Sequence, residues 1–220
     1  MTYDLRSAGT GAFQTFLRIG SNDLTVDGYN TDARPIETGF ESKVSPHTRA
    51  LPRDAVPIVN ISGTDCYYEF LLDINQIGAE HDPSDPAWNL SLDRLQIALS
   101  DDPAESVYAT IFESPIYDMD GDGDARVILN SKLTTGSGQA DLAAYIPVPK
   151  VLPAGDYIYL YSMFGQDGDY SRGDFFNNDG FEEWAIQTSY PLPVIPAPGA
   201  ALLAGLGAGF VGWLRKRKTL

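Results

Sequence analysis

Hydrophobic positions alternate with a period of two along several stretches of this chain. In CYYEFLLDIN, Tyr68, Phe70, Leu72 and Ile74 share one face of an extended strand and Tyr67, Glu69, Leu71 and Asp73 take the other, the pattern of a half-buried strand. In DYIYLYSMFG, Tyr157, Tyr159, Tyr161 and Met163 alternate with Ile158, Leu160, Ser162 and Phe164, apolar or aromatic on both sides, which predicts a central strand. Shorter runs predict further strands at 13–19, 56–61, 92–100, 107–112, 126–133, 143–146 and 183–188. Between them lie DGYNTDARP, AEHDPSDPAWN, MDGDGD, TTGSGQAD, VPKVLPAGD and FNNDG, rich in the residues that turns require. The hydroxyl-rich segment 37–57 has no clear period and is expected as a long surface excursion that packs by Phe40 and Leu51. Strands this short, this numerous and this regularly punctuated predict an all-β body over 1–190: a two-sheet antiparallel β-sandwich of jelly-roll-like type. No helix of length is expected before residue 198, and no internal repeat is evident.

Composition agrees. The 21 Gly, 15 Pro and 12 Tyr favour short strands and frequent turns, and 220 residues can bury one substantial core. Charge changes the picture more. Four of the 15 cations stand together at 215–218, so the rest of the chain sets 11 cations against 30 acids. Such a surface repels phosphates, which excludes nucleic acid as a partner. The single cysteine, Cys66, rules out an intrachain disulfide and, in an apolar strand, is expected to be a buried small hydrophobe. The first residues, MTYDLRSAGTGAF, show no cationic segment followed by an apolar one, so no signal peptide is visible.

The sharpest polar motif is YDMDGDGDARVIL. Asp118, Asp120 and Asp122 alternate, Gly123 follows where a cation loop turns sharply, and Asp124 continues the series, as in the first half of an EF-hand loop. Leu129 occupies the twelfth position, where a bidentate Glu would complete the sphere, and a strand-like run follows in place of a helix. Two readings stand: a Ca²⁺ site completed by water or by a ligand from elsewhere, or a solvated Asp/Gly hairpin turn. A second acidic region holds Asp167, Asp169, Asp174, Asp179, Glu182 and Glu183, with a spacing that fits no full ligand template. Glu182 and Glu183 are the nearest thing to a glycosidase pair, but neighbours on a strand point to opposite faces. His47 and His81 are too isolated for a zinc site and are expected as exposed loop histidines. No phosphate-binding Gly loop and no G-x-S-x-G elbow is present. Tyr29, Trp88 and Trp184 could stack on sugars if exposed, although core packing is the commoner fate of a Trp such as Trp184.

The last segment differs from everything before it. VIPAPGAALLAGLGAGFVGWLRKRKTL contains no acid, is uncharged over 194–214, and ends in Arg215, Lys216, Arg217 and Lys218. Residues 199–214 predict a transmembrane helix of roughly 24 Å, short of the roughly 30 Å hydrocarbon core but helped by Trp213 and by snorkelling cations. The basic tail 215–220 belongs on the cytoplasmic side and the body outside. Ala201, Gly205 and Gly209 form a ridge of small residues suited to close contact with another helix. The prolines at 191, 193, 196 and 198 separate this helix from the body, making 191–198 a linker.

The three-part order of proline motif, short glycine-rich apolar helix and basic cluster resembles the PEP-CTERM sorting signal of exported bacterial proteins. Here IPAP replaces the usual Pro-Glu-Pro, so Ala197 stands between Pro196 and Pro198 where Glu is customary. The resemblance implies export, retention in the membrane and cleavage near 196–198 by an exosortase, an integral-membrane cysteine protease. It also implies association with extracellular polysaccharide. The body is similar to exported PEP-CTERM proteins through GYNTDARP, YYEFLLDIN, YIYLYSMFG and NDGFEEWAI, a likeness that transfers no activity; such proteins begin with a signal peptide, so one is expected upstream of Met1. The expectation is therefore a non-catalytic cell-surface or matrix protein, Ca²⁺-stabilised through Asp118, Asp120, Asp122 and Asp124. The alternatives are a secreted glycan-binding module or a glycan-active hydrolase.

Overall fold

A computed structural model describes residues 13–43, 46–62, 65–78, 85–132, 140–151, 153–166, 175–178 and 180–187. These all belong to one compact unit, Met1–Thr188. The second unit, Ser189–Leu220, lies outside the described residues, and with it Pro196, Ala197, Pro198, the predicted helix and the four terminal cations. Among the described residues no helix is long and apolar enough to cross a membrane.

The chain forms β1 (Phe13–Ile19), β2 (Val26–Tyr29), β3 (Leu51–Pro52), β4 (Ile58–Ser62), β5 (Asp65–Asp73), β6 (Asn89–Ser100), the one-turn helix α1 (Tyr108–Ile111), β7 (Tyr117–Asp118), β8 (Val127–Asn130), β9 (Leu142–Pro147), β10 (Tyr157–Phe164) and β11 (Glu182–Gln187). They make two antiparallel sheets. In the first, β1 pairs with β11, and β5 lies between β9 on one edge and β4 and β11 in tandem on the other: Tyr67 sits between Val59 and Pro147, Leu72 between Trp184 and Leu142. In the second, β10 has β2 and β3 in tandem on one edge and β6 on the other, and β6 carries β7 and β8 in tandem on its far edge. Residues from both sheets, including Phe16, Ile19, Phe70, Leu72 and Trp184 from the first and Val26, Leu90, Ile97, Leu160 and Phe164 from the second, share one core. Two layers around one core make a β-sandwich.

Alternation explains which side chains enter that core. Tyr68, Phe70 and Leu72 of β5, and Ile74 just past its end, point inward, as do Ile158, Leu160 and Phe164 of β10. In β6 the inward set changes parity, from Leu90 and Leu92 to Leu95 and Ile97. A bulge does this: Met163 pairs with Arg94 and Phe164 with Leu92, so the β10 register steps past Asp93.

Several sequence expectations fail. Residues 107–112 form α1 and its flanks, not a strand. Tyr108, Ile111 and Phe112 then fall at helical spacing on one side, where all three pack on an aromatic cluster of the second sheet; tertiary contact outweighs the β-propensity of Val, Tyr, Thr and Ile. Cys66 is exposed, not buried. It has the inward parity of Tyr68, but it stands at the start of β5, one step beyond the first residue of that strand to join the core. Residues 26–29, of which 27–29 belong to the predicted turn DGYNTDARP, and residues 117–118, which no predicted strand covers, are strands because β10 and β6 offer them an edge.

Candidate functional site

The aspartate motif lies at the edge of the second sheet. Asp118, in β7, pairs with Gln96 of β6, and its Oδ2 accepts from Gln96 Nε2 at 2.8 Å while its Oδ1 accepts from the Asp120 N–H at 3.0 Å. Asp120 Oδ1 accepts from the Ala125 N–H at 3.0 Å, and its Oδ2 faces Arg94 Nε at 3.3 Å. Gly123 adopts φ +134°, as the sharp turn in the sequence motif requires. Asp122 and Asp124 are exposed. The fold therefore brings Asp118 and Asp120 together as caps of their own loop, each of their four oxygens holding a donor, and leaves the other two in solvent. Among the described residues no three His, Cys, Asp or Glu side chains are grouped to hold a metal ion.

Gln96 links this loop to a row of side chains across the outer face of the second sheet. Tyr29, Tyr161, Gln96 and Asp118 stand in direct cross-strand register on β2, β10, β6 and β7. Phe40, Tyr108, Ile111 and Phe112 cover the row, with the Tyr108 ring 4.8 Å from Tyr161 and the Phe40 ring 5.0 Å from Tyr29. The hydroxyls under this cover are all engaged: Tyr108 donates to Gln96 Oε1 (2.7 Å), Tyr161 to Asp27 Oδ2 (2.8 Å), Tyr159 to the Asp102 carbonyl (2.5 Å) and Tyr29 to the Ser106 carbonyl (2.9 Å). Burial raises all four phenols, Tyr159 to about 12, so they remain neutral donors. Asp27 is pushed up to about 6 by burial, against the lowering effect of the Tyr161 hydroxyl and reinforced by Glu41, whose Oε2 also accepts from the Asp27 N–H at 3.0 Å. This patch can hold and release a proton near neutrality, but its groups are aimed at one another and at covering loops.

No family model, characterised protein or solved structure matches this chain.

The other candidates separate. Glu182 is fully buried while Glu183, on the opposite face of β11, forms an ion pair with Arg18, so these two do not flank one bond. Tyr29 and Trp184 are fully buried and offer no sugar platform; Trp88 is half-buried, with Lys132 Nζ 4.5 Å from its ring centroid. His47 is half-buried. His81, Asp167, Asp169, Asp174 and Asp179 lie outside the described residues. Sequence reasoning missed Asp27, Glu41, Gln96 and Tyr108. Arg94, Gln96 and Ala98 alternate with Leu95, Ile97 and Leu99, which marks Gln96 as outward-facing; nothing in the sequence shows that the outward face is itself covered.

A second carboxyl titrates near neutrality. Asp141 Oδ2 accepts from the Ile74 N–H at 2.9 Å, and burial, opposed by that bond and reinforced by Asp73, pushes Asp141 up to about 7. Both Asp27 and Asp141 have folded values above the unfolded value of 3.8, so the folded state holds their protons more tightly. Their contribution is complete below the unfolded value and is lost as pH rises through about 6 and about 7. Stability should fall by about 1–2 kcal/mol between pH 5 and pH 8 once partial exposure is allowed for. Asp141→Asn, which keeps an acceptor for the Ile74 N–H, should flatten that slope. Urea midpoints at the two pH values decide it; a steeper decline in the variant would refute the assignment.

Proposed function

We propose that this chain is an exported, non-catalytic β-sandwich displayed at the cell surface or in the extracellular matrix. In this reading the body wraps as a jelly roll, and 199–214 is a short transmembrane helix with 215–220 in the cytoplasm. An exosortase-type protease acts near Pro196, Ala197 and Pro198. The jelly-roll reading is supported by strand order: β1, β11, β5 and β9 span one sheet, and β2, β10, β6 and β7 the other, so successive segments cross repeatedly between layers. Export rests on the order of proline motif, apolar helix and basic cluster.

The observation that carries the non-catalytic scaffold reading is the covered tyrosine face. A sheet face with an aromatic row is where a lectin-like sandwich would stack sugars, and here the protein's own connections occupy it, with each hydroxyl engaged inside. The two glutamates nearest to a hydrolase pair point to opposite faces.

Export and processing are tested together in cells that express the chain from its native locus, with the upstream DNA intact and an epitope inserted after Asp122. The expected result is an epitope accessible to protease added outside intact cells and a mature C-terminus, by mass spectrometry, between residues 193 and 198. A full-length chain in the cytosolic fraction, with a protected epitope, overturns the reading.

A further inference from the structure

One end of the sandwich buries polar groups where alternation would place hydrophobes. The inward series of β5 runs Tyr68, Phe70 and Leu72, and beyond the end of the strand Ile74 and Gln76 are buried in the same alternation, Gln76 being 3% exposed. The inward series of β11 runs back from Ile186 and Trp184 to Glu182, which is 0% exposed. Glu183 pairs with Asp73, the last residue of β5, so Glu182, the next residue along β11, lies beside the chain that leaves β5 through Ile74 toward Gln76. Next to Gln76, the backbone of Ile77 is bonded in both directions to the Asn178 side chain, at 2.8 and 3.1 Å, which brings Asn177 alongside.

Asn177 is 2% exposed and fixed in orientation. Its Nδ2 donates to the Ser21 carbonyl at 3.1 Å and to the Asp23 carbonyl at 2.8 Å, so both amide hydrogens are used and Oδ1 turns away from that loop with no donor. Gln76 Oε1 and Nε2 have no hydrogen-bond partner either. The second sheet contributes Asp93, the bulged residue of β6, buried at 6% exposure, whose Oδ2 accepts from Ser91 Oγ at 2.9 Å and from the Gln166 N–H at 2.7 Å. Gly165 joins the two sides: its N–H bonds the Ser91 carbonyl at 3.0 Å, it adopts φ +80°, and a Cβ there would lie 3.0 Å from the Asn177 nitrogen and against the Leu24 carbonyl oxygen. Only glycine admits so close an approach.

We propose that this end of the sandwich is a buried calcium site, with Gln76 Oε1, Asn177 Oδ1 and carboxyl oxygens of Glu182 and Asp93 as protein ligands. The donor set is all oxygen, which selects a hard cation, and two carboxyls repel an anion. A buried amide oxygen with no donor costs free energy, and a cation satisfies it where a second carboxyl could not. Ligands drawn from four separate chain segments, two of them neutral amides, suit the tolerant six-to-eight-oxygen sphere of Ca²⁺ better than the strict octahedron of Mg²⁺. Two of the four are amides, so no trio of acidic, thiol or imidazole groups marks the place.

The test is thermal unfolding of the full chain in chelator, in Ca²⁺ and in Mg²⁺. With Ca²⁺ at about a hundred times its dissociation constant, the midpoint should rise by about 5–10 °C, and with Mg²⁺ by far less. Glu182→Gln should lose most of that rise. Gln76→Leu should lose much of it while keeping or raising the midpoint in chelator, because it removes unmet polar atoms from the interior. If Glu182→Gln fails to fold, Gln76→Leu alone decides the matter. A double variant, Asp122→Asn with Asp124→Asn, should keep the rise in full. No rise in the wild type, an equal rise with Mg²⁺, a rise that survives in Gln76→Leu, or one lost only in the Asp122/Asp124 variant each overturns the proposal.

Discussion

Trp184→Ala is expected to cost about 3–5 kcal/mol, the range for removing a large aromatic from a packed core. Trp184 is fully buried on β11 in the first sheet, and its Nε1 donates at 2.9 Å to Ser162 Oγ, itself fully buried on β10 in the second. The indole therefore fills the centre and ties the layers by a hydrogen bond across the core. Alanine would leave a cavity and strip an interaction from a buried hydroxyl, and in a body of this size the loss should lower the thermal midpoint by about 6–20 °C. Trp184→Phe separates the two effects. It keeps most of the apolar contact but loses the donor, and should cost about 1–2 kcal/mol, much of which Ser162→Ala should share in a double-mutant cycle. Urea unfolding followed by near- and far-ultraviolet circular dichroism measures both. A cost below about 1.5 kcal/mol for Trp184→Ala would mean that the two sheets do not close on this residue.

Much of this architecture is legible in the sequence because alternation is a direct consequence of burial. β5 and β10 follow it almost residue by residue, and β1 matches the predicted 13–19 run. Legibility ends where a segment's structure depends on what it touches. Val107 and its neighbours have strand-forming side chains, yet the aromatic cluster selects one helical turn that turns Tyr108, Ile111 and Phe112 the same way. β2 and β7 are too short to show a period and exist because a longer strand presents an open edge.

The candidate sites divide along the same line. The alternating aspartates are conspicuous in the sequence because they are adjacent, but the structure uses Asp118 and Asp120 as caps within the loop. Gln76, Asp93, Asn177 and Glu182 are spread over 107 positions (76 to 182, counting both). Each taken alone is an ordinary polar residue, within a strand for Asp93, at the end of one for Glu182 and between strands for Gln76 and Asn177. The informative quantity is the unmet hydrogen-bonding capacity of the Gln76 and Asn177 amides in the interior, and that is a property of the folded arrangement. Even so, Gln76 and Glu182 occupy the next inward step of two clean hydrophobic series, and a polar residue at such a position is a signal that the sequence does carry.

Asn30→Ala should cost about 2–4 kcal/mol, for a reason that its turn-like context, DGYNTDARP, conceals. β2 ends at Tyr29, paired with Tyr161, and β3 begins at Leu51, paired with Ile158, so the edge of β10 has a gap in its backbone partners between them. The fully buried Asn30 side chain fills it. Its Oδ1 accepts from the Leu160 N–H at 2.6 Å and its Nδ2 donates to the Ile158 carbonyl at 2.9 Å, reproducing the donor and acceptor of a strand residue. Alanine would leave the buried Leu160 N–H without its acceptor, at about 1–3 kcal/mol, and would take from the Ile158 carbonyl, which also faces the paired Leu51, one of its donors, at about 0.5–1.5 kcal/mol. Asn30→Asp gives a sharper test. Its carboxylate keeps the acceptor for Leu160 but turns a second acceptor toward the Ile158 oxygen, so at neutral pH it should be less stable than Asn30→Ala. Protonation restores a donor on that side, and burial favours the protonated form; Asn30→Asp should therefore regain stability relative to Asn30→Ala as pH falls. If the two variants keep a constant difference from pH 8 to pH 4, or if Asn30→Ala stays within about 0.5 kcal/mol of the wild type, the side chain does not bridge the edge of β10.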